Sequence, residues 1–409
     1  MAENTVEVTE PVVKPPRIIS VDALRGFDMF WIIGADEVIA KLTKLGDYSI
    51  LSFLGKQFEH KDWAGFAFYD LIFPLFIFIM GASMVLSLKN LVEREDKIAA
   101  MKRIFFRSLI MFGLGVMNYG GFTKLWPEIR LLGVLQRIAI CYFVAGIMFC
   151  YFRPRSLGMI CAGTLVAYWG VMAWVPFPDV RPADKPAIEI CRETGFDDTS
   201  TLNFNSTKFL QGTYIKGVNL SNYLDQRFLP GHKWDGSWDP EGLLSTFPAI
   251  CTCILGAFAG FLLINRQYDD WKKIQMLLLW GTISVAVGWL WNINFPVIKK
   301  IWTSSYVLVA AGYSAWLLAA FYYIIEMRRW QKWATPFLWI GTNSITIYVI
   351  SNLFELRKVA LCIVGGDVKN LFDRWIMPGF GSLAIEVVTL SIGVLLCRFL
   401  YQRKIFLKI

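Results

Sequence analysis

The stretch Asp70-Leu-Ile-Phe-Pro-Leu-Phe-Ile-Phe-Ile-Met-Gly-Ala-Ser-Met-Val-Leu-Ser-Leu88 carries no charge after its first residue. It approaches the roughly 20 apolar residues that an α-helix needs to cross a bilayer core. Uncharged runs recur at 156–178, 242–265, 274–298, 301–325 and 333–354. Lipid leaves no partner for the edge of an open sheet, so repeated runs of this kind predict an all-α polytopic membrane protein. Composition agrees: 56% of residues are hydrophobic and 18% charged, with 17 Trp and 32 Phe.

Working outward from that run, ten crossings are expected, near 21–40, 64–88, 104–119, 131–151, 156–175, 245–265, 273–293, 304–325, 335–353 and 381–400. Residues 354–380, interrupted by Arg357, Lys358, Asp367, Lys369, Asp373 and Arg374, read as a loop with a surface or re-entrant piece. Lys89, Arg94, Lys97, Lys102, Arg103 and Arg107 are expected to fill the second connection. Arg153, Arg155, Arg266, Lys272, Lys273, Arg328, Arg329, Lys332, Arg398, Arg403, Lys404 and Lys408 mark later connections and the tail. All fall on one side of a ten-helix bundle, which the positive-inside rule makes cytoplasmic, with both termini there. The net charge of +9 therefore answers to topology and anionic lipid rather than to nucleic acid.

Residues 1–16 read as a disordered tail and 17–409 as the membrane domain. The polar segment 175–244 is expected as an extracytoplasmic cap. Seven cysteines lie in or near apolar segments and only Cys191 in the polar loop, which argues against a disulfide framework. Neither a zinc-ligand spacing nor a phosphate-cradling glycine motif appears.

Two features point to chemistry. Asp22, Arg25, Asp28 and Asp36 fall at about 0°, 300°, 240° and 320° on a helical wheel, one face that must look into the bundle. An Asp22–Arg25–Asp28 ladder is a plain structural explanation for three of them. Asp36, about 21 Å beyond Asp22, sits on the side where His60 is expected. His60, one of two histidines, occurs in Phe58-Glu-His60-Lys-Asp-Trp63, just before the apolar run. Imidazole titrates near neutrality and suits general-base work, while a rim histidine bonded to a loop carbonyl is the bland alternative. His232 falls in the polar cap, where a solvated role is expected. Three further segments are predicted to meet at that rim. Arg130 to Arg137 opens the fourth helix, with both arginines on one face. Asp239-Pro-Glu241-Gly242 opens the sixth with an acidic first turn, and Lys299-Lys-Ile-Trp302-Thr-Ser-Ser-Tyr306 opens the eighth. Together they suggest a polar, aromatic-lined pocket suited to carbohydrate.

Several motifs occur in one order along the chain. They are Arg17-Ile-Ile-Ser-Val-Asp22-Ala-Leu-Arg25-Gly26, His60-Lys-Asp-Trp63-Ala-Gly65 with Asp70-Leu-Ile-Phe73-Pro74 and Phe78-Ile-Met80-Gly81, and Gly133-Val-Leu-Gln136-Arg137. Asp239-Pro-Glu241-Gly242, Ile301-Trp302 with Ser305-Tyr306, and Gly341-Thr-Asn343-Ser344 follow. In this ordered set the chain resembles the heparan-α-glucosaminide N-acetyltransferase family, transmembrane enzymes that acetylate terminal glucosamine. The resemblance implies acetyl-CoA taken up from the cytoplasm and an amino sugar acetylated on the other side, with no metal. It implies His60 as the reactive histidine, acting as base or as acyl carrier, with Asp36 beside it. Asp70, Arg137, Asp239, Glu241 and Trp302 would bind the acceptor, and Arg25, Lys102, Arg103 and Arg107 the phosphates of coenzyme A. Position 36 departs from the human member, which carries asparagine there. The resemblance further implies a homodimer and a bacterial inner-membrane homologue without the lumenal domain and extra helix that precede the animal core. A sugar or lipid carrier that makes no bond is the alternative function.

Overall fold

The computed structural model describes residues 18–46, 49–93, 97–182 and 201–406. The expected tail at 1–16, together with Arg17, Arg94, Cys191 and Lys408, lies outside the described residues. Every expected crossing is helical. In chain order the helices are α1 (Ile19–Phe30), α2 (Asp36–Leu42), α3 (Ser49–Phe58), α4 (Phe68–Glu93), α5 (Lys97–Asn118), α6 (Val134–Tyr151) and α7 (Pro154–Trp174). The cap helix α8 (Leu220–Phe228) precedes α9 (Thr246–Ile264), α10 (Asp270–Trp291) and α11 (Ser304–Tyr322). The chain closes with α12 (Thr335–Thr342), α13 (Ser344–Leu353), α14 (Leu356–Val364), α15 (Gly366–Trp375) and α16 (Phe380–Gln402). Among the described residues, seven helices are both long and apolar enough to cross a membrane. They define an all-α polytopic membrane protein.

The remaining three expected crossings show why charge and backbone matter. A π-helical turn, Trp31–Ala35, with Gly34 at φ 131°, joins α1 to α2. The non-helical backbone at Gly34 kinks the chain there, so that Asp36 no longer follows the helical phase of Asp22, Arg25 and Asp28. Asp22 pairs with Arg25, and the Arg25 Nε donates to the Gly341 carbonyl at 2.9 Å. Asp28 is fully buried, and neither carboxylate oxygen has a hydrogen-bond partner, so it is no rung of a ladder. In α5, Lys97, Lys102, Arg103 and Arg107 are helical rather than part of a connecting loop. The pair α12 and α13 is interrupted at Asn343. Residues 354–380 also differ from a loop. Two amphipathic helices, α14 and α15, form there and pack against α16, because each has one apolar stripe to cover.

Within the bundle the main pairings are α4 with α9, α5 with α6, α1 with α12, and α10 with α11. Helices in lipid are held by close backbone approach rather than by expulsion of water, and small residues allow that approach. A Cβ on Gly81 would land on the Cys253 carbonyl, and one on Gly256 on the Phe78 carbonyl. Gly26 and Gly341 make the same reciprocal contact with Phe337 and Asp22. Over the bundle end near His60, the described part of the cap is tied down by a short antiparallel pair, β1 (Phe177–Pro178) and β2 (Phe209–Leu210). The buried polar face of α8 anchors it further.

Candidate functional site

The helix that carries the decisive apolar run also positions the site. Asp70 lies in the first turn of α4, where its Oδ2 accepts the backbone N–H of Ala67 at 3.1 Å and of Lys61 at 3.3 Å. A carboxylate reaching back over a helix start suits both the unpaired N–H groups and the helix dipole. Pro74, four residues on, has no N–H to give to the Asp70 carbonyl. The Tyr306 hydroxyl of α11 takes that place at 2.7 Å. Asp70 is thus fixed from three sides, with its side chain 1% exposed.

His60 stands over this carboxylate. Its Nδ1 is 2.9 Å from Asp70 Oδ1, and its side chain remains half-exposed. With the Nδ1 proton directed at Asp70, Nε2 is left as the basic nitrogen. Lys299 Nζ lies 3.1 Å from Nδ1, 3.4 Å from Nε2 and 3.5 Å from Asp70 Oδ1. The loops carrying His60 and Lys299 are stitched together by an antiparallel bridge between Ala64 and Ile298, and Gly65 N–H donates to the Val297 carbonyl at 2.9 Å. Burial pushes the His60 imidazole below its ordinary value; the Asp70 hydrogen bond opposes this and the Lys299 charge adds to it. The ring is therefore mostly neutral at pH 7 and competent as a base. Burial likewise lowers Lys299, against the pull of Asp70.

Asp36 reaches this centre only indirectly. The Tyr69 hydroxyl donates to Asp36 Oδ2, and the Tyr69 ring lies 4.6 Å from the imidazole at 31°. The carboxylate in direct contact with His60 is Asp70.

His60, Lys299, Phe73, Trp302, Arg130 and Glu241 line one cavity of about 480 Å³. Arg130 meets Asp239 at 2.9 and 2.7 Å and Glu241 at 2.5 Å. Its guanidinium lies 4.6 Å from the Tyr119 ring and 5.0 Å from that of Trp234, two rings that meet edge to face. Burial opposes the charge on Arg130, yet the two carboxylates drive its pKa up; burial pushes the Glu241 carboxyl up as well. The three rim segments do meet, though not as helix openings. Arg130 precedes α6, while Asp239 and Glu241 precede α9, which starts at Thr246. Arg137, buried within α6, stacks 5.0 Å from Trp302 and donates to Ser245 Oγ at 2.5 Å. Its Nε and Nη1 have no hydrogen-bond partner. His232 is not among the residues that line the cavity.

A second cavity of about 410 Å³ lies further along α4 from His60. Arg25, Arg103 and Arg107 line it beside Ser83, Tyr142 and Asn343. The Ser83 hydroxyl, Tyr142 hydroxyl, Arg107 Nε and both polar atoms of the Asn343 side chain are buried there without partners. Such groups are costly unless something satisfies them, so the lining fits a polar ligand with anionic groups. Lys102 is not among the lining residues; one position from Arg103, it points to another side of the helix.

The two cavities approach each other through the bundle. Phe73 lines the first and Phe76 the second, on α4; Val134 lines the first and Ile138 the second, on α6. About 4.5 Å of helix separates the first pair along the axis and about 6 Å the second. Trp302 lines the first cavity, and Arg137 stands behind its ring. Fold and site together define a membrane-embedded protein with an ionisable histidine centre at one face and a cationic cavity behind it.

Residues 17–182 match the family model described as heparan-alpha-glucosaminide N-acetyltransferase, catalytic. Human heparan-alpha-glucosaminide N-acetyltransferase is 26% identical over 97% of this chain, and the mouse protein of that name is 25% identical over 86%. The chain spans 60% of the length of the human relative and 56% of the mouse one. These matches bear out the resemblance carried by the ordered motifs.

Sequence reading places Lys299 in a rim segment without a role and does not single out Tyr69 or Tyr119. No local signal marks Lys299, which lies 239 positions from His60.

Proposed function

We propose that the protein is a transmembrane acetyltransferase that moves an acetyl group from acetyl-CoA to the amino group of a glucosamine-type sugar. The observation that carries this reading is the pair of neighbouring cavities, one lined by arginines suited to anionic groups and one by His60 held over Asp70. Acetyl-CoA is the donor substrate. Arg103 and Arg107 are suited to its phosphates, and Ser83, Tyr142 and Asn343 to the polar groups of its arm. The acceptor enters on the His60 side, where Trp302, Trp234, Glu241 and the Arg130–Asp239 pair form a polar and aromatic wall. Asp70 is assigned here as the positioning partner of His60, and Asp36 as support through Tyr69. His60 Nε2 takes a proton from the acceptor amine as its nitrogen attacks the thioester carbonyl. Transient acetylation of the same nitrogen is the second form of the mechanism.

The basic end of the bundle is assigned to the cytoplasm and the cap to the outside, in a bacterial inner membrane. A homodimer is the expected assembly.

The test is release of free thiol from acetyl-CoA by the purified protein in the presence of glucosamine. His60→Ala should lose about 10²–10⁴-fold in turnover, while His232→Ala keeps most of it. Glucosamine-independent binding without thiol release would instead favour a carrier.

A further inference from the structure

The partner of His60 with no role in the reading above is Lys299. Its side chain is 20% exposed and lines the same cavity as the imidazole. Its position is not that of a loose surface lysine. The Ala64–Ile298 bridge fixes the residue before it to the His60 loop. After it, Thr303 Oγ1 accepts the Ile298 N–H at 3.1 Å and the Thr303 N–H returns to the Ile298 carbonyl at 3.2 Å, closing a tight turn around 298–303. Trp302 in that turn holds a left-handed φ of 50°, a conformation that a large side chain rarely adopts and that the surrounding packing must hold in place. The ammonium is thereby held within 3.4 Å of both ring nitrogens, including the one left to act as base.

A cation next to a base is a disadvantage for the base itself, because it opposes protonation. It becomes an advantage when negative charge develops beside that base. In acetyl transfer the amine lone pair forms the C–N bond and the carbonyl π pair moves onto oxygen. His60 Nε2 takes one N–H proton, the C–S bond then breaks with its electron pair on sulfur, and that sulfur receives the proton from His60. Between the two bond changes the carbonyl oxygen carries a full negative charge. A charged donor fixed in place beforehand is the strongest form of stabilisation for such an oxygen, and loss of one donor typically costs about 10²–10³-fold in turnover.

Building on the acetyltransferase reading, we propose that Lys299 is a catalytic residue whose ammonium binds the carbonyl oxygen of the acetyl group as it becomes an oxyanion. Asp70 then has two tasks: it orients His60 through Nδ1 and holds the Lys299 ammonium in place. The charged groups acting on His60 include Asp70, Lys299 and Lys300; Lys61, Asp62, Arg130, Asp235 and Glu241 line the same cavity, and the Tyr69 ring is tilted over the imidazole.

Lys299→Met and Lys299→Arg are compared with wild type in thiol release from acetyl-CoA with glucosamine, and with dithioacetyl-CoA, whose thiocarbonyl sulfur is a poor hydrogen-bond acceptor. Lys299→Met should lose about 10²-fold in kcat with both KM values within about threefold of wild type, and Lys299→Arg should recover much of the loss. With the dithio donor the same substitution should cost far less than with acetyl-CoA. A loss below about tenfold, a loss confined to the KM for glucosamine, or equal losses with the two donors would each overturn the assignment. If Lys299→Met does not fold, Lys299→Gln takes its place in the same comparison. Wild-type protein that releases no thiol at all would instead sink the acetyltransferase reading, and this assignment with it.

Discussion

Asp225 illustrates how a single buried group ties the cap helix to the segment that leads into α9. It lies in α8, fully buried, with Oδ1 accepting the Leu243 N–H at 2.8 Å and Oδ2 without a partner. Burial raises its pKa to about 8. A carboxyl raised in the folded state is held as the neutral acid, so the fold is favoured at low pH. Stability then falls as pH rises from about 4, where the unfolded chain ionises, through the folded value. Asp225→Asn removes the titration while keeping an oxygen for Leu243. Melting temperatures in detergent should show the variant gaining on wild type between pH 5 and 8; a constant difference across that window would contradict the buried neutral carboxyl. At the same scale, His60 was visible in the sequence as a titratable group beside a membrane run. Its true partner was not, since Asp70 ten positions on follows no helical or strand spacing and is brought under the ring by a loop.

Helix crossings explain why glycines recur in the ordered motifs. Gly26, Gly81 and Gly341 each face a neighbouring carbonyl with no room for a Cβ. Gly81→Val should push α4 from α9, and overpacking of this kind costs about 1–3 kcal/mol. Because Asp70 rides on α4, the proposed acetyl transfer should fall together with the melting temperature. An unshifted melt would mean that the crossing tolerates the larger side chain. The polar character of the first helix was readable from its four ionisable positions. That Asp28 is no rung of the Asp22–Arg25–Asp28 ladder was hidden, because its spacing of three from Arg25 puts it on the same face and only packing decides which of those groups meet.

For the molecule as a whole, the arrangement of two neighbouring cavities makes sidedness the central question. The exposed Asn205 lies in the cap and Arg403 just beyond α16. In a background with both Cys191→Ser and Cys362→Ser, which removes the cap cysteine and the exposed thiol among the described residues, an impermeant maleimide added to intact cells should label Asn205→Cys and spare Arg403→Cys. Labelling of the tail alone would reverse the orientation and move the donor cavity to the outside.

The sequence by itself determined that the chain is helical and membrane-embedded, and it singled out His60 and the arginines of the first and fifth helices as candidates for function. Those properties are written in local composition: apolar length, helical periodicity, and the cost of charge in lipid. The pairing of His60 with Asp70 and Lys299, the indirect place of Asp36 behind Tyr69, and the absence of Lys102 from its cavity were decided by tertiary structure alone. Each depends on loops, a proline-freed carbonyl, or the rotation of one helix against another. Contacts of that kind join residues as distant as 60 and 299, and no periodicity in a linear chain records them.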